Sequence, residues 1–254
     1  MKRPVLSLEN RTALITGATG GIGGAIARAF AAAGAKLFLQ GTSEEKLKSL
    51  IDGLEAAGCA YRTKAIALNT PQDARELVDA AVSDMGSIDV LVNSAGINRP
   101  QKSVDVTETN WDDVLNINLK MLFFVSQEAG KIMIEQDGGK IIHISSQAGM
   151  VALPQRAAYC SSKGGVNQLT RTLACEWAPH HITVNAVAPT FVRTPFTEKM
   201  FEDEEFKNYV IDSIPLGRMA TADEVAYATL FLASDLANMI TGHILSVDGG
   251  WTVW

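Results

Sequence analysis

The sequence predicts a single α/β domain: a doubly wound, parallel seven-stranded sheet with helices on both faces. Two observations predict it. Short β-prone runs at 12–16, 36–40, 63–68, 89–93, 140–145, 183–187 and 244–247 alternate with amphipathic or Ala-rich stretches near 22–33, 44–57, 71–85, 107–135, 157–178 and 221–233. That alternation builds strand–helix–strand crossovers, which pair strands in parallel and lay helices over the sheet. Runs such as Ile88-Asp89-Val90-Leu91-Val92 and Ile141-Ile142-His143-Ile144 are apolar nearly throughout, as strands buried on both sides must be. The 254 residues suffice for one domain, 1–254, and no internal repeat, low-complexity tract or linker divides them.

In chain order, the first run passes through Leu14-Ile15-Thr16-Gly17-Ala18-Thr19-Gly20-Gly21-Ile22-Gly23 into an Ala-rich helix. Glycine at a strand-to-helix turn permits close backbone approach, and the helix N-terminus offers unpaired amides and partial positive charge to a pyrophosphate. A dinucleotide is the expected ligand. The second run ends Leu39-Gln40-Gly41-Thr42-Ser43, where a carboxylate would hold ribose hydroxyls and a base would pair a 2′-phosphate. Neither is present. Thr42 and Ser43 can donate hydrogen bonds to a phosphate and no carboxylate repels it, so the balance leans to NADP over NAD. The third and fourth runs end in Asn69-Thr70 and Asn93-Ser94-Ala95-Gly96, at the strand ends where open α/β sheets bind ligands.

The stretch 107–135 reads as one long helix carrying Asn118. The fifth run ends beside Ser146, whose hydroxyl can hydrogen-bond a substrate oxygen as charge develops on it. Tyr159-Cys160-Ser161-Ser162-Lys163 opens the next helix, and the i,i+4 spacing sets phenol and ammonium on one face, about one turn apart. The ammonium is expected to lower the phenol pKa and so suit Tyr159 to proton transfer at a carbinol oxygen. Residues 188–218 are the least regular, with Pro189, Pro195 and Pro215, exposed-looking Phe191, Phe196 and Phe201, and the acidic Glu202-Asp203-Glu204-Glu205. They read as a mobile substrate lid; the alternative is an ordinary surface helix pair with a solvated acidic face. The last run leads to Trp251 and Trp254, expected to be buried by a neighbouring subunit.

The motif T-G-x-x-x-G-x-G, then Asn118, Ser146 and Y-x-x-x-K, resembles in order and spacing the short-chain dehydrogenase/reductase family over essentially the whole chain. The resemblance implies a Rossmann-like fold and NAD(P)-dependent hydride transfer between a nicotinamide and a secondary alcohol or ketone. It implies that Tyr159 moves the proton, Ser146 orients the oxygen and Lys163 tunes Tyr159. Asn118 would kink its helix and hold a water that links the lysine to solvent. It also implies a cofactor cradle of Gly17, Thr19, Gly21, Ile22 and Gly23, with Thr42, Ser43, Asn69 and Thr70 toward the adenosine. Asn93, Ala95 and Gly96, besides Tyr159 and Lys163, would complete it, and Pro189, Val192 and Thr194 would meet the carboxamide. The chain departs from the family pattern where Ser94 stands for the second Asn of N-N-A-G, Asn69-Thr70 for the usual Asp-Val beside the adenine, Thr190 for the Gly of P-G-x-x-x-T, and Gly20 where many NADP-using relatives carry Arg.

Residues following the strand ends are placed to face the substrate: Asn98 and Arg99, Gln147 and Ala148, Pro154-Gln155-Arg156, then Phe191 and Pro195. With Ser146 and Tyr159, the side chains of Arg99, Gln147, Gln155 and Phe191 are the substrate set. Arg99, Gln147, Gln155 and Arg156 make the rim polar, which favours a hydroxylated or carboxylated small molecule over a steroid or long acyl chain. Gly96-Ile97-Asn98-Arg99 is similar to gluconate 5-dehydrogenases and related sugar-acid or polyol dehydrogenases, which implies Arg99 as a carboxylate holder. The runner-up is a 3-oxoacyl-carrier-protein reductase. A remote alternative is a non-catalytic cofactor-sensing regulator, against which the intact Tyr159, Lys163, Ser146 and Asn118 stand.

A net charge of −6 argues against a broad footprint for nucleic acid or anionic membrane. No apolar run reaches the roughly 18 to 20 residues that span a bilayer, and Met1-Lys2-Arg3-Pro4 opens no signal core, so a cytoplasmic protein is expected. Cys59, Cys160 and Cys175 form no C-x-x-C pair and read as buried or half-buried small hydrophobes. His143, His180, His181 and His243 have no partners at ligand spacing, so no metal is expected. Family relatives are commonly tetramers, which implies a homotetramer.

Overall fold

Along the chain run β1 (Thr12–Thr16), α1 (Gly21–Ala32), β2 (Lys36–Gly41), α2 (Glu44–Glu55), β3 (Tyr61–Ala65), α3 (Pro71–Met85) and β4 (Val90–Asn93). There follow α4 (Glu108–Leu115), a π-helical turn (Asn116–Met121), α5 (Leu122–Glu135), β5 (Gly139–Ile144), α6 (Ala157–Trp177) and β6 (Ile182–Pro189). Then come β7 (Val192–Arg193), α7 (Glu204–Asp212), β8 (Ala220–Thr221), α8 (Ala222–Ala233) and β9 (Ile244–Val247). The structure, a computed structural model, describes residues 6–55, 58–194, 197–198 and 201–253. Residues 56–57 of the expected second helix, Pro195, Phe196 and Trp254 lie outside the described residues.

Seven strands form one parallel sheet in the order β3-β2-β1-β4-β5-β6-β9. The chain winds outward from β1 in one direction, then returns to β4 on the other side of β1. The crevice beyond the carboxyl ends of such a reversal is where ligands bind. Both faces of the sheet are buried, and the alternation of side chains sorts its strands between two cores. Leu37, Leu39, Val90, Val92 and Ile142 face a core with Ile26 and Phe30 of α1 and Val225 of α8. Phe38, Leu91 and Ile141 face the opposite core with Leu77 of α3, Val125 of α5 and Leu173 of α6.

Local chemistry sets the helix ends. Thr70 and Asp73 form a capping box at the start of α3, Pro71 occupies its first turn, and Gly86 ends it in the left-handed conformation. Thr221 and Glu224 form a second capping box at α8.

Several details differ from the sequence reading. The third strand pairs through 61–65 rather than 63–68: it is the edge strand, its Arg62 and Thr63 are exposed, and the apolar run beyond it leaves the sheet. The 107–135 helix is interrupted by the π turn. The two-residue pair β7–β8 is too short to leave a pattern. Cys175 is exposed, because α6 buries its Leu173–Ala174 side instead. Phe191 and Phe201 are half-buried rather than exposed, and Trp251 is buried against them within its own chain rather than left for a neighbour. Phe191 meets Phe201, Phe206 and Trp251 at centroid distances of 6.3, 5.6 and 5.8 Å. No described helix is long and apolar enough to cross a membrane.

Candidate active site

The carboxyl ends of β1, β4, β5 and β6 open on one cleft of about 310 Å³. Of the residues singled out in the sequence, Gly17, Gly21, Ile22, Gly23, Gly96, Ser146, Gln147, Tyr159, Lys163, Pro189, Phe191, Val192 and Thr194 line it. The strand register explains the convergence: Thr16 lies beside Asn93, Asn93 beside His143, and Ile144 beside Val187.

The glycine turn fits a dinucleotide. Gly17 has φ of +63°, and a Cβ there would come within 2.7 Å of the Ala95 backbone, so only glycine lets the first and fourth strand ends close together. A Cβ on Gly21 would stand 2.6 Å from Cγ2 of Thr194, which places the β7 loop directly over the N-terminus of α1. Thr16 Oγ1 accepts from the amides of Ser94 and Ala95 at 3.1 and 3.3 Å, fixing the neighbouring turn. Thr190 lies outside the positive-φ residues, so a β-branched side chain is tolerated where the family pattern has glycine.

Lys163 is 4% exposed and its Nζ donates to the Ile144 carbonyl at 2.7 Å, tying α6 to the end of β5. The same Nζ stands 5.7 Å from the centroid of the Tyr159 ring. Burial pulls the Lys163 ammonium down to a pKa of about 8. Tyr159 departs from expectation. Burial pushes its phenol up, and the Ser146 hydroxyl beside it only partly pulls the other way. Desolvation of the phenolate therefore outweighs any help from the ammonium, whose own charge burial disfavours. Ser146 caps the short 3₁₀ turn Gln147–Gly149, accepting from the Ala148 amide at 3.1 Å.

Asn118 is fully buried in the π turn, which interrupts the regular helix there. Its Oδ1 accepts from the Ile97 amide at 2.8 Å, while Nδ2 donates to the Ile97 carbonyl at 2.9 Å and to Ser162 Oγ at 3.1 Å. Both amide hydrogens are thus committed to protein partners.

Other expected residues lie outside the cleft wall. Arg99 turns outward and pairs with Asp113, and Gln155 is exposed. Asn93 points into the core, donating to Ser126 Oγ at 2.9 Å. Ser43 Oγ accepts from the Lys46 amide at 3.3 Å, Thr70 is spent on its capping box, and Thr42 and Asn69 are exposed. Thr19 packs toward Gly41.

Sequence reasoning missed a clamp behind Lys163. Ser145 Oγ donates to Asn167 Oδ1 at 2.6 Å, and Asn167 Nδ2 donates to the Gly149 carbonyl at 3.1 Å. A Cβ on Gly149 would lie 2.7 Å from the Lys163 backbone. The signal for Asn167 was its place one turn beyond Lys163 on the same face. Ser94, passed over as a site residue, also lines the cleft, and so does Arg156, which the sequence placed facing the substrate.

A family model described as enoyl-(acyl carrier protein) reductase matches residues 17–252. The chain is 42% identical over 250 residues to a 3-oxoacyl-acyl-carrier-protein reductase of Thermotoga maritima, covering 98% of this chain and 100% of that one. It is 37% identical over 254 residues to the gluconate 5-dehydrogenase of Gluconobacter oxydans, covering 100% and 99%. The crystal structure of a gluconate 5-dehydrogenase from Burkholderia cenocepacia in complex with NADP and tartrate superposes with a TM-score of 0.94 at 33% identity, covering 98% of each chain. The glycine turn, the strand-end cleft and these full-length likenesses agree: the chain belongs to the short-chain dehydrogenase/reductase family of NAD(P)-dependent oxidoreductases acting on CH–OH groups.

Proposed function

We propose that the protein interconverts a secondary alcohol and a ketone on a small polar substrate, a sugar acid or polyol, with NADP preferred over NAD. The observation that carries this is the meeting of Ser146, Tyr159 and Lys163 with the glycine turn in one cleft. Tyr159 moves the proton at the substrate oxygen and Ser146 orients that oxygen. The raised phenol pKa keeps Tyr159 protonated until the neighbouring oxygen turns basic, which suits proton donation in the reductive direction. In the oxidative direction the Lys163 ammonium favours the phenolate. Asn118 acts as a positioning residue, holding Ile97 and Ser162 against the turn that bears Gly96.

Gly17, Gly21, Ile22 and Gly23 would hold the pyrophosphate, and Pro189, Val192 and Thr194 the carboxamide end. Thr19, Thr42, Ser43, Asn69 and Thr70 would lie along the adenosine, with Asn93, Ala95 and Gly96 shaping the turn beside it. Bound there, the nicotinamide supplies a hydride donor or acceptor and, when oxidised, a positively charged ring. The NADP preference is supported at the end of β2: Gly41 is buried with its Cβ position 2.7 Å from Thr19 Cγ2, so no carboxylate stands there against a 2′-phosphate.

A polar substrate is supported by Asn98, Gln147, Arg156 and Thr190, which line the cleft with buried polar atoms lacking a partner. A relative crystallised with tartrate, a hydroxylated dicarboxylate, supports it too. Residues 188–218 act as a lid through the Phe191 cluster, and the protein works as a cytoplasmic homotetramer, which sedimentation at micromolar concentration tests. Turnover of sugar acids and polyols with each cofactor, set against an acetoacetyl thioester, tests the substrate class. The likeness to the Thermotoga maritima enzyme supports a second reading, 3-oxoacyl thioester reduction, which wins if the thioester is the faster substrate.

A further inference from the structure

Arg156 precedes α6 by one residue and lies three residues before Tyr159; it is 8% exposed and lines the cleft. Its guanidinium carbon lies 5.8 Å from the Phe191 centroid and 5.4 Å from that of Phe206. One Nη donates to the Pro154 carbonyl at 2.9 Å, while Nε is buried with no partner. Among the described residues no carboxylate pairs with it. The groups that act on its charge are the thiol of Cys160 and the phenols of Tyr159 and Tyr209. Arg99 differs: it is half exposed and already paired with Asp113.

A guanidinium taken out of water needs an anion and acceptors, and aromatic faces meet that need only in part. Gln147, which lines the same cleft and is 1% exposed, has both amide atoms buried without partners. An amide offers a donor and an acceptor, which suits a hydroxyl; the free edge of a guanidinium suits a carboxylate.

We infer that Arg156 anchors a carboxylate of the substrate and Gln147 reads a hydroxyl beside it, so that the cleft selects a hydroxylated carboxylic acid over the neutral polyol. This rests on the dehydrogenase reading above. Phe191 and Phe206 hold the guanidinium plane and keep water from it, which strengthens the charged hydrogen bonds. The carboxylate then fixes the rest of the molecule against Ser146 and Tyr159.

The test uses aldonates and the alditols that differ from them only in CH₂OH for COO⁻, with NADP, in the wild type, Arg156→Gln and Arg156→Lys. Wild type is expected to favour the aldonate. Arg156→Gln should lower aldonate kcat/KM roughly 100-fold, mainly through KM, against a few-fold for the alditol, because one partner of a buried charge pair is lost. Arg156→Lys should fall between, keeping the charge and losing the fork. NADPH titration and thermal unfolding report folding; if Arg156→Gln fails to bind NADPH, an aldonate-specific KM rise in Arg156→Lys decides. Equal losses on acid and polyol, or a wild type that favours the alditol, overturn the anchor alone. A wild type that turns over neither yet reduces an acetoacetyl thioester overturns the dehydrogenase reading and the anchor with it.

Discussion

One set of polar side chains at the cleft and directly behind it has protein partners: Lys163 with Ile144, Ser145 with Asn167, Asn167 with Gly149, and Asn118 with Ile97 and Ser162. A second set lines the cleft with buried atoms that have none: Asn98 Oδ1, both amide atoms of Gln147, Arg156 Nε and Thr190 Oγ1. An unmet buried polar group costs about 1–3 kcal/mol, so the second set is tolerated rather than stabilising, and a ligand that meets its needs gains what folding forfeits. The first set holds geometry; the second holds selectivity. Stability and substrate recognition should therefore come apart in the second set and stay joined in the first.

The largest effect should come from Tyr159→Phe, which removes the proton-transfer group: kcat should fall roughly 10³-fold, with NADPH affinity by fluorescence titration nearly unchanged. Comparable turnover would break the assignment. Next, Gly149→Ala tests whether the first set joins structure to rate. Its Cβ must displace the Lys163 backbone, so urea unfolding should show a loss of about 1–3 kcal/mol. Rate should suffer with it, kcat falling roughly 100-fold as Lys163 is misplaced. A stable but slow variant, or a fast but unstable one, would argue against that joining.

Stability also carries a pH dependence. His143 is fully buried, with Nε2 3.1 Å from Ser126 Oγ and Nδ1 2.9 Å from Thr170 Oγ1. Burial, with the Lys163 charge second, pulls its pKa down to about 3 from 6.5. Between those values the unfolded chain binds a proton that the folded chain refuses, so stability falls as pH drops below 6.5. From pH 7 to pH 5 this one group should remove about 2 kcal/mol, at roughly 1.4 kcal/mol per pH unit. Urea unfolding of wild type and His143→Gln at both values checks it, the variant losing less on acidification. The smallest effect belongs to the second set: Gln147→Ala should raise substrate KM roughly tenfold and change stability by under about 0.5 kcal/mol, since no bond is lost on folding. A large loss of stability would erase the distinction between the two sets.

The part of the site legible in the sequence is the part bound to backbone regularity. Tyr159 and Lys163 share a helix face by spacing, the glycine turn follows from a strand running into a helix, and apolar runs mark buried strands. The edge strand β3 and the pair β7–β8 were harder, because half-exposed or two-residue segments carry little periodicity. Side-chain direction in loops was not legible at all. Gln155 has φ of +62° and its carbonyl accepts from the Gln101 amide at 2.8 Å. That local reversal leaves Gln155 in solvent and turns Arg156 inward, while Arg99 finds Asp113 across fourteen positions of sequence. No rule of composition or spacing distinguishes the two arginines. Ser145, Gly149 and Asn167 escaped for a similar reason: each is ordinary alone, and their closeness exists only once α6 lies along β5.

The π turn at Asn116–Met121 also resets helical phase. Side chains advance roughly 100° per residue around a helix, so one inserted residue rotates everything beyond it by about that angle. A single continuous rod thereby presents one azimuth to α6 through α4 and another to α3 through α5. Shortening 116–121 by one residue would restore a uniform helix of the right length for neither neighbour. Either α4 would swing away from α6, taking the Asn118 amide off Ile97, or α5 would turn its apolar stripe out of the core. The frame of that turn is thus a constraint on indels, one that point substitutions at its individual positions would not reveal.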